Sequence, residues 1–323
     1  MKHPKRHVMT QRRAHPNRLQ LVLTVSLAFI LLATLMPEQA YAKRPIIFDS
    51  PRGIAMGGAV AAGGTGWAAL VHNPAAQGYS RIYEGNLAYN YGDGAEQAMT
   101  VSLTDDALLN PRMAFGMSYT RVMADVEGYD DSLTSTFFRS GLAMAERTQG
   151  LMYSLGASYH HSKMAYLDTS DPDAIKENSN TAWNLDIGGL FIFQNNFRVA
   201  FVGRNLLDHE NIGQLRELVG AAGMAFGPVY LEYDLTGTLD PDRDDIPLSH
   251  GVGLEVRPNP MVPIRGGYTF DTATDQHIVS GGVGFRSTSF GFDITYAQMV
   301  AGGDEYWVVG SLTYIPQLPG MRR

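Results

Sequence analysis

Fourteen segments of this chain alternate between apolar and polar residues with a period of two, and no other feature restricts the fold as much. In SFGFDITYAQ, Phe290, Phe292, Ile294 and Tyr296 fall on one face, with Gly291, Asp293, Thr295 and Ala297 on the other. Successive side chains of a strand point to opposite sides, so this stretch reads as a strand with one oily face and one polar or small face. PVYLEYDLTG sets Val229, Leu231, Tyr233 and Leu235 against Tyr230, Glu232, Asp234 and Thr236. NTAWNLDIGGLFIF places Trp183, Leu185, Ile187, Gly189, Phe191 and Phe193 on one face. Helical spacing fits none of the three.

The expected strands are 81–91, 95–103, 111–121, 135–146, 150–161, 180–193, 197–204, 217–226, 229–237, 248–257, 262–270, 276–286, 289–297 and 305–314. Mostly longer links (122–134, 162–179, 205–216, 238–247) interleave with tight ones (147–149, 194–196, Pro228, 287–288). An even number of strands, with long links at one end and short links at the other, is the pattern of an outer-membrane β-barrel. A soluble sandwich or lipocalin-like barrel would turn its apolar face inward and wet its polar face. Here the non-apolar face carries Glu84, Arg139, Asp186, Arg198, Arg204, Glu232, Asp234, Glu255, Arg257, Arg265, Arg286 and Asp293. So many charges do not make a dry soluble core, but they suit a polar lumen. Aromatic residues near segment ends, among them Tyr83, Tyr91, Trp183, Tyr268, Tyr306 and Tyr314, stand where interfacial girdles belong. The expected fold is therefore all-β: a transmembrane antiparallel barrel of 14 strands over 81–314.

The first twenty residues carry Lys2, Lys5, Arg6, Arg12, Arg13 and Arg18 and no acid. The apolar run Leu21–Met36 and Ala40-Tyr41-Ala42 follow, which is the order of a secretory signal peptide with cleavage after residue 42. Cleavage removes six of the 25 Lys/Arg and one of the 32 Asp/Glu, leaving a net charge of −12, a poor match for nucleic acid. The chain has no Cys, so neither disulfides nor thiolate chemistry can stabilise or serve it. Both mature termini, including a tail at 315–323, are expected in the periplasm of a diderm bacterium.

Before the first strand lies RGIAMGGAVAAGGTGWAALVHNPAA (52–76), rich in Gly and Ala and without a carboxylate. Its Gly57-Gly58-Ala59 and Asn73-Pro74-Ala75 resemble the N-terminal hatch of FadL-type hydrophobic-compound channels and their PorV-like relatives. GVGLEVRPNPMVPIRGGYTF (251–270) and SGGVGFRSTSFGFDITYAQ (280–298) are similar to the PorV-like branch. That resemblance implies a 14-stranded barrel filled by residues 43–80, with Gly57, Gly58, Asn73, Pro74 and Ala75 as the hatch motif. It implies a passive channel for small hydrophobic compounds or, alternatively, a non-transporting scaffold or shuttle in secretion or envelope assembly. The partners implied are outer-membrane lipid, a small hydrophobic ligand, the barrel-assembly machinery and, on the second reading, a secretion partner. The chain departs from the FadL pattern in its shorter length, in Ala76-Gln77-Gly78 after the motif and in its ending TYIPQLPGMRR. Locally, Ala59–Val71 reads as a short helix weakened by Gly63, Gly64 and Gly66.

Other motifs carry little chemistry. In LDPDRDDIP, Asp240, Asp242 and Asp244 form the one candidate oxygen-ligand set, but Asp245 replaces the turn glycine of an EF-hand and Gly251 its bidentate acid. A solvated acidic rim is the better reading, so no metal is expected. His160 and His161 point to opposite faces of a strand, and the Gly-Val-Gly tripeptides at 251–253 and 282–284 precede no helix. No nucleophile, base and acid share a spacing, so neither an enzyme nor a cofactor is expected.

Overall fold

The computed structural model describes residues 49–80, 82–93, 96–110, 112–125, 132–168, 176–194, 196–207, 214–240 and 245–316. The expected signal peptide, residues 43–48 of the expected hatch, Asp242, Asp244 and residues 317–323 of the tail lie outside them. Fourteen antiparallel strands close into a barrel. They are β1 (Tyr83–Gly92), β2 (Glu96–Asn110), β3 (Met113–Ala124), β4 (Leu133–Thr148), β5 (Leu151–Asp168), β6 (Lys176–Phe193) and β7 (Phe197–Arg204). The second half holds β8 (Arg216–Phe226), β9 (Val229–Leu239), β10 (Leu248–Asn259), β11 (Val262–Asp271), β12 (Gln276–Arg286), β13 (Phe290–Ala301) and β14 (Tyr306–Tyr314). Each strand pairs with its sequence neighbour, and β1 meets β14 in the register Gly85↔Tyr314 to Gly92↔Trp307. Closure leaves no open edge, as hydrocarbon requires.

The alternation runs as expected. Along β13, Phe290, Phe292, Ile294 and Tyr296 are exposed while Gly291, Asp293, Thr295 and Ala297 are buried. Leu312 and Leu155, at 64% and 63% exposure, are typical of an outer surface that only lipid can cover. Seven connections on one side, mostly longer, from 93–95 to 302–305, alternate with six of two or three residues on the other, where β1 begins and β14 ends. Phe226 pairs with Val229 across the two residues Gly227 and Pro228, and Gly227 takes φ +58°, a value that a side chain would resist.

Two links are shorter than the sequence implied. The expected connection 162–179 is largely ladder, with pairs running from Ser162↔Ala182 to Asp168↔Lys176. The strand expected at 95–103 continues to Asn110. Ser, Lys, Asp and Asn read as loop residues at 162–179, yet beyond the apolar band a strand has no need of an apolar face, and backbone pairing alone continues it; at the opposite end of the barrel β2 reaches Asn110 through a register shift after Asp105.

Before β1 lie α1 (Pro51–Ala55), α2 (Gly66–His72), a 3₁₀ turn (Pro74–Ala76) and the single turn α3 (Gln77–Ser80). This hatch segment is inside the barrel. Ala61, Ala62, Ala69, Ala75 and Ala76 pack on Met152, Leu190, Ile192, Val202 and Val219 from the inner faces of β5 to β8.

The register predicts opposite outcomes at one outward position. Ile294 stands near mid-strand on the lipid face at 54% exposure. Ile294→Arg should cost roughly 2–4 kcal/mol of folding free energy, and Ile294→Val under about 1.5 kcal/mol. Equilibrium refolding into vesicles measures both.

Candidate functional site: the hatch and its seat

The hatch begins with a capped turn. Ser50 Oγ accepts a 2.9 Å bond from the Gly53 amide, and Pro51 sits at the first helical position with a φ already suited to a helix. α1 ends at Gly57 and Gly58, whose φ values are +61° and +76°. A Cβ on Gly57 would lie 2.6 Å from the Tyr268 backbone nitrogen. The opposing wall is equally bare: a Cβ on Gly251 would meet the Gly57 carbonyl oxygen at 2.6 Å, and one on Gly253 the Met56 carbonyl oxygen at 2.6 Å. Two backbones thus pack directly, and threonines fix the contact. Thr269 Oγ1 donates to the Gly57 carbonyl and Thr295 Oγ1 to the Pro51 carbonyl, each at 2.9 Å.

The next segment corrects the sequence reading. The helix expected over Ala59–Val71 starts only at Gly66. Four successive amides before it turn outward to the wall. Val60 and Ala61 donate to Asp234 Oδ2 at 3.0 and 2.9 Å, and Ala62 and Gly63 donate to Glu232 Oε1 at 2.5 and 3.2 Å. Carboxylates supplied by β9 outcompete a weak Gly-rich helix for these donors. Tyr230 donates its hydroxyl to Glu232 Oε2 at 2.7 Å.

At the other end of α2 the polarity reverses. Arg139 Nη1 donates to the Val71 carbonyl at 2.7 Å, and Arg204 donates to the His72 carbonyl through Nε at 3.1 Å and Nη2 at 2.8 Å. These are carbonyls that a helix C-terminus leaves unsatisfied. Arg139 also pairs with Asp186 at 3.3 Å, beside His160 at 3.2 Å, and Arg204 pairs with Glu217 at 3.3 Å. His72 Nε2 lies 2.7 Å from Asp49 Oδ1.

Asn73, fully buried, ties the turn together. Its Oδ1 accepts from the Ala75 amide at 3.0 Å and its Nδ2 donates to the Ala61 carbonyl at 2.8 Å. Pro74 and Ala75 rest on Gly156, where a Cβ would come within 2.5 Å of them, and Asn73 rests on Gly188. Ser154 Oγ donates to the Ala75 carbonyl at 2.7 Å.

Five of the remaining expected charges form one network joined through Arg265. Glu255 gathers Arg257 (2.7 Å), Arg265 (2.7 Å) and the hatch residue Arg52 (3.2 Å), while Asp293 accepts from Arg265 (2.7 Å) and Arg286 (2.5 Å). Among the described residues Arg198 has no ion pair of this kind; it donates to Tyr79 Oη at 2.6 Å, and its guanidinium lies over the rings of Tyr79 at 4.3 Å and Tyr230 at 4.8 Å. Glu84 accepts from Asn86 at 3.1 Å and faces Gly66. Asp240 follows the end of β9, away from the hatch. Burial works against the Arg52 charge, and the neighbouring Glu255 with Tyr230 and Glu232 outweighs it, so the pKa rises and the guanidinium stays charged. Arg52 also donates to the Gly63 carbonyl at 2.7 Å. Sequence reasoning missed it, although it is the one Lys or Arg in a Gly/Ala stretch without acids, which is itself a signal for a partner on the wall.

Toward the end with the longer links, one sector of the inner wall is apolar, while Ser162, Asn184, Arg204 and Glu217 are buried elsewhere at that end. Ile54 packs with Ala297, Met299, Trp307 and Val309, and Ala98 packs with Val122 and Phe137.

No protein-family model matches the sequence, and no curated protein does. Solved structures do. The chain resembles the Ralstonia pickettii toluene transporter TbuX, with a TM-score of 0.60 and 13% identity, over 84% of this chain and 100% of that one. It resembles the Pseudomonas putida toluene transporter TodX with a TM-score of 0.56 and 11% identity, over 83% of this chain and 98% of that one. The fold is shared with these transporters.

Asp234→Ala removes the acceptor of two buried amides. At about 1–3 kcal/mol for a buried amide left without its acceptor, exchange of the Val60 and Ala61 amides should accelerate by roughly 5- to 150-fold. Hydrogen exchange read by mass spectrometry should show it, with the strand amides unchanged.

Proposed function

We propose that this chain is a passive outer-membrane channel for small hydrophobic molecules, closed at rest by the hatch over 43–80. The observation that carries this reading is the apolar contact of the hatch with the wall toward the longer links, where Ile54 of α1 meets Met299, Trp307 and Val309, on a fold shared with two toluene transporters. On this reading a hydrophobic solute enters from the side of the longer links and meets the hatch at this apolar contact. Residues 1–42 act as the export signal, the barrel-assembly machinery inserts the mature chain, and both mature termini face the periplasm. Passage then requires the hatch to shift on its seat, at Gly57-Gly58 and Asn73-Pro74-Ala75.

A second reading, the PorV-like scaffold or shuttle serving a secretion partner, is favoured by the close packing of the hatch alanines on β5 to β8. A scaffold works with a filled barrel. A channel does not.

Asn73→Ala decides between them. It leaves the Ala75 amide and the Ala61 carbonyl without their partner, at about 1–3 kcal/mol, so a gating hatch should open about 5- to 150-fold more often. Uptake of a hydrophobic tracer into proteoliposomes measures this, with a variant lacking residues 43–76 as the fully open reference. If both variants stay folded and heat-modifiable and neither changes permeability, the scaffold reading replaces the channel.

A further inference from the structure

The outward residues of β3 to β6 fall into rows that the strand register fixes. Tyr119 pairs with Phe138, Phe138 with His161, and His161 with Trp183, which sets four rings side by side across the four strands. Trp183 is 55% and Tyr119 48% exposed, and the rings of His161 and Trp183 lie 4.4 Å apart. Two residues nearer the longer links, the next outward row reads Arg121, Thr136, Lys163 and Thr181. Aromatic rings gather where hydrocarbon meets the lipid head groups, so this second row stands at head-group depth. The length of β5 agrees. From Leu151 to Lys163 is roughly 40 Å of strand, which at a tilt of about 40° is roughly 30 Å of height, just past an apolar band about 25 Å tall.

Thr136 faces Arg121 on one side and Lys163 on the other, so the two cations stand two strand spacings apart, roughly 10 Å at the backbone. Both are exposed, and each has a stem long enough to lean over Thr136 and bring its charged end to a common point. Inside the barrel the arginines of the wall are held by acids or by tyrosine rings. Among the described residues, Arg121 and Lys163 have no ion pair; Arg121 donates a long 3.5 Å bond from Nη2 to Thr134 Oγ1. The acids further along the same strands, Asp125 and Glu177, lie four residues beyond the row, roughly 13 Å toward water. Two cations flanking a hydroxyl, on the outside of a chain whose net charge is −7, make a seat for an anion. Beneath the rings the same strands expose Leu142, Leu155 and Ile187, so an anion held here is best served by hydrocarbon attached to it.

We propose that Arg121, Thr136 and Lys163 form a binding site for the phosphate of a lipid in the outer leaflet. The phosphate sits over Thr136 and accepts charge-assisted bonds from the guanidinium and the ammonium, while the acyl chains run across the row of rings onto Leu142, Leu155 and Ile187. A phosphate with net negative charge is favoured over one whose charge a choline cancels. The site belongs to the outer surface and stands whether or not a solute crosses the lumen.

The test is native mass spectrometry of the full mature chain in detergent micelles, titrated with dimyristoyl phosphatidic acid and, separately, with dimyristoyl phosphatidylcholine. Phosphatidic acid should bind about 30-fold more tightly, with about fivefold from each cation. Arg121→Gln or Lys163→Gln alone should lose about fivefold of that preference, and the two together should abolish it, with heat-modifiability reporting that the barrel is intact. Thr136→Val should weaken phosphatidic acid by roughly 2- to 10-fold. Arg216→Gln removes an exposed cation from β8 at the same end of the barrel; it controls for net charge and should leave the preference unchanged. Equal binding of the two lipids, a preference that survives the double variant, or one that falls as far with Arg216→Gln overturns the site. An unchanged affinity in Thr136→Val overturns the placement of the phosphate. Displacement of bound phosphatidic acid by an equal concentration of inorganic phosphate overturns the lipid assignment, since the site would then serve the free ion.

Discussion

Charged side chains on the barrel wall solvate the backbone of the hatch, and the interior is organised around that exchange. A short, Gly-rich segment cannot satisfy its own amides and carbonyls, and little bulk water reaches a segment most of whose residues are buried. Glu232 and Asp234 take four consecutive amides, and Arg139 and Arg204 cover the carbonyls at the end of α2. The wall supplies each sign of charge where the opposite backbone dipole emerges. The pairs behind these residues, Arg139 with Asp186 and Arg204 with Glu217, keep the cations from standing alone in a buried place. The charge network is thus a substitute for solvent, more than a set of struts between wall and hatch.

Close approach is the second condition. A carboxylate reaches an amide at 2.5–3.2 Å only if the two main chains come near one another, and side chains would prevent that. Gly251 and Gly253 on the wall, facing Met56 and Gly57, remove the obstruction on one side, and Gly156 and Gly188 remove it beneath Asn73-Pro74-Ala75. Glycine that would weaken a strand in a soluble protein is here the surface on which the hatch sits.

The barrel was legible in the sequence because lipid imposes a simple rule on every strand, so residues such as Phe292 and Asp293 declare their faces by position alone. The rule lapses above the membrane, and there 162–179 looked like a loop though it is mostly paired. The hatch was legible as a segment, through its composition and its Asn-Pro-Ala turn, and illegible in detail. Val60 to Gly63 looked helical because their real partners stand at least 169 residues away, beyond the reach of any local pattern. The inward charges could be enumerated from alternation, but their pairing could not. Nothing in the sequence distinguishes Arg198, which lies between two tyrosine rings, from Arg265, which bridges two carboxylates.

The same separations set an order of events during biogenesis. The hatch is synthesised before any strand, yet its anchors arrive late: Asp234 lies 174 residues after Val60, and Thr295 lies 244 after Pro51. Until β13 has been delivered, the first segment has no complete seat, and once β1 has joined β14 it has no way in through the side of the cylinder. The seam between the two ends of the chain must therefore zip last, around a guest already in place. A barrel built this way cannot be assembled strictly in chain order; Val60 to Gly63 wait, unsatisfied, for a strand at least 169 residues further on.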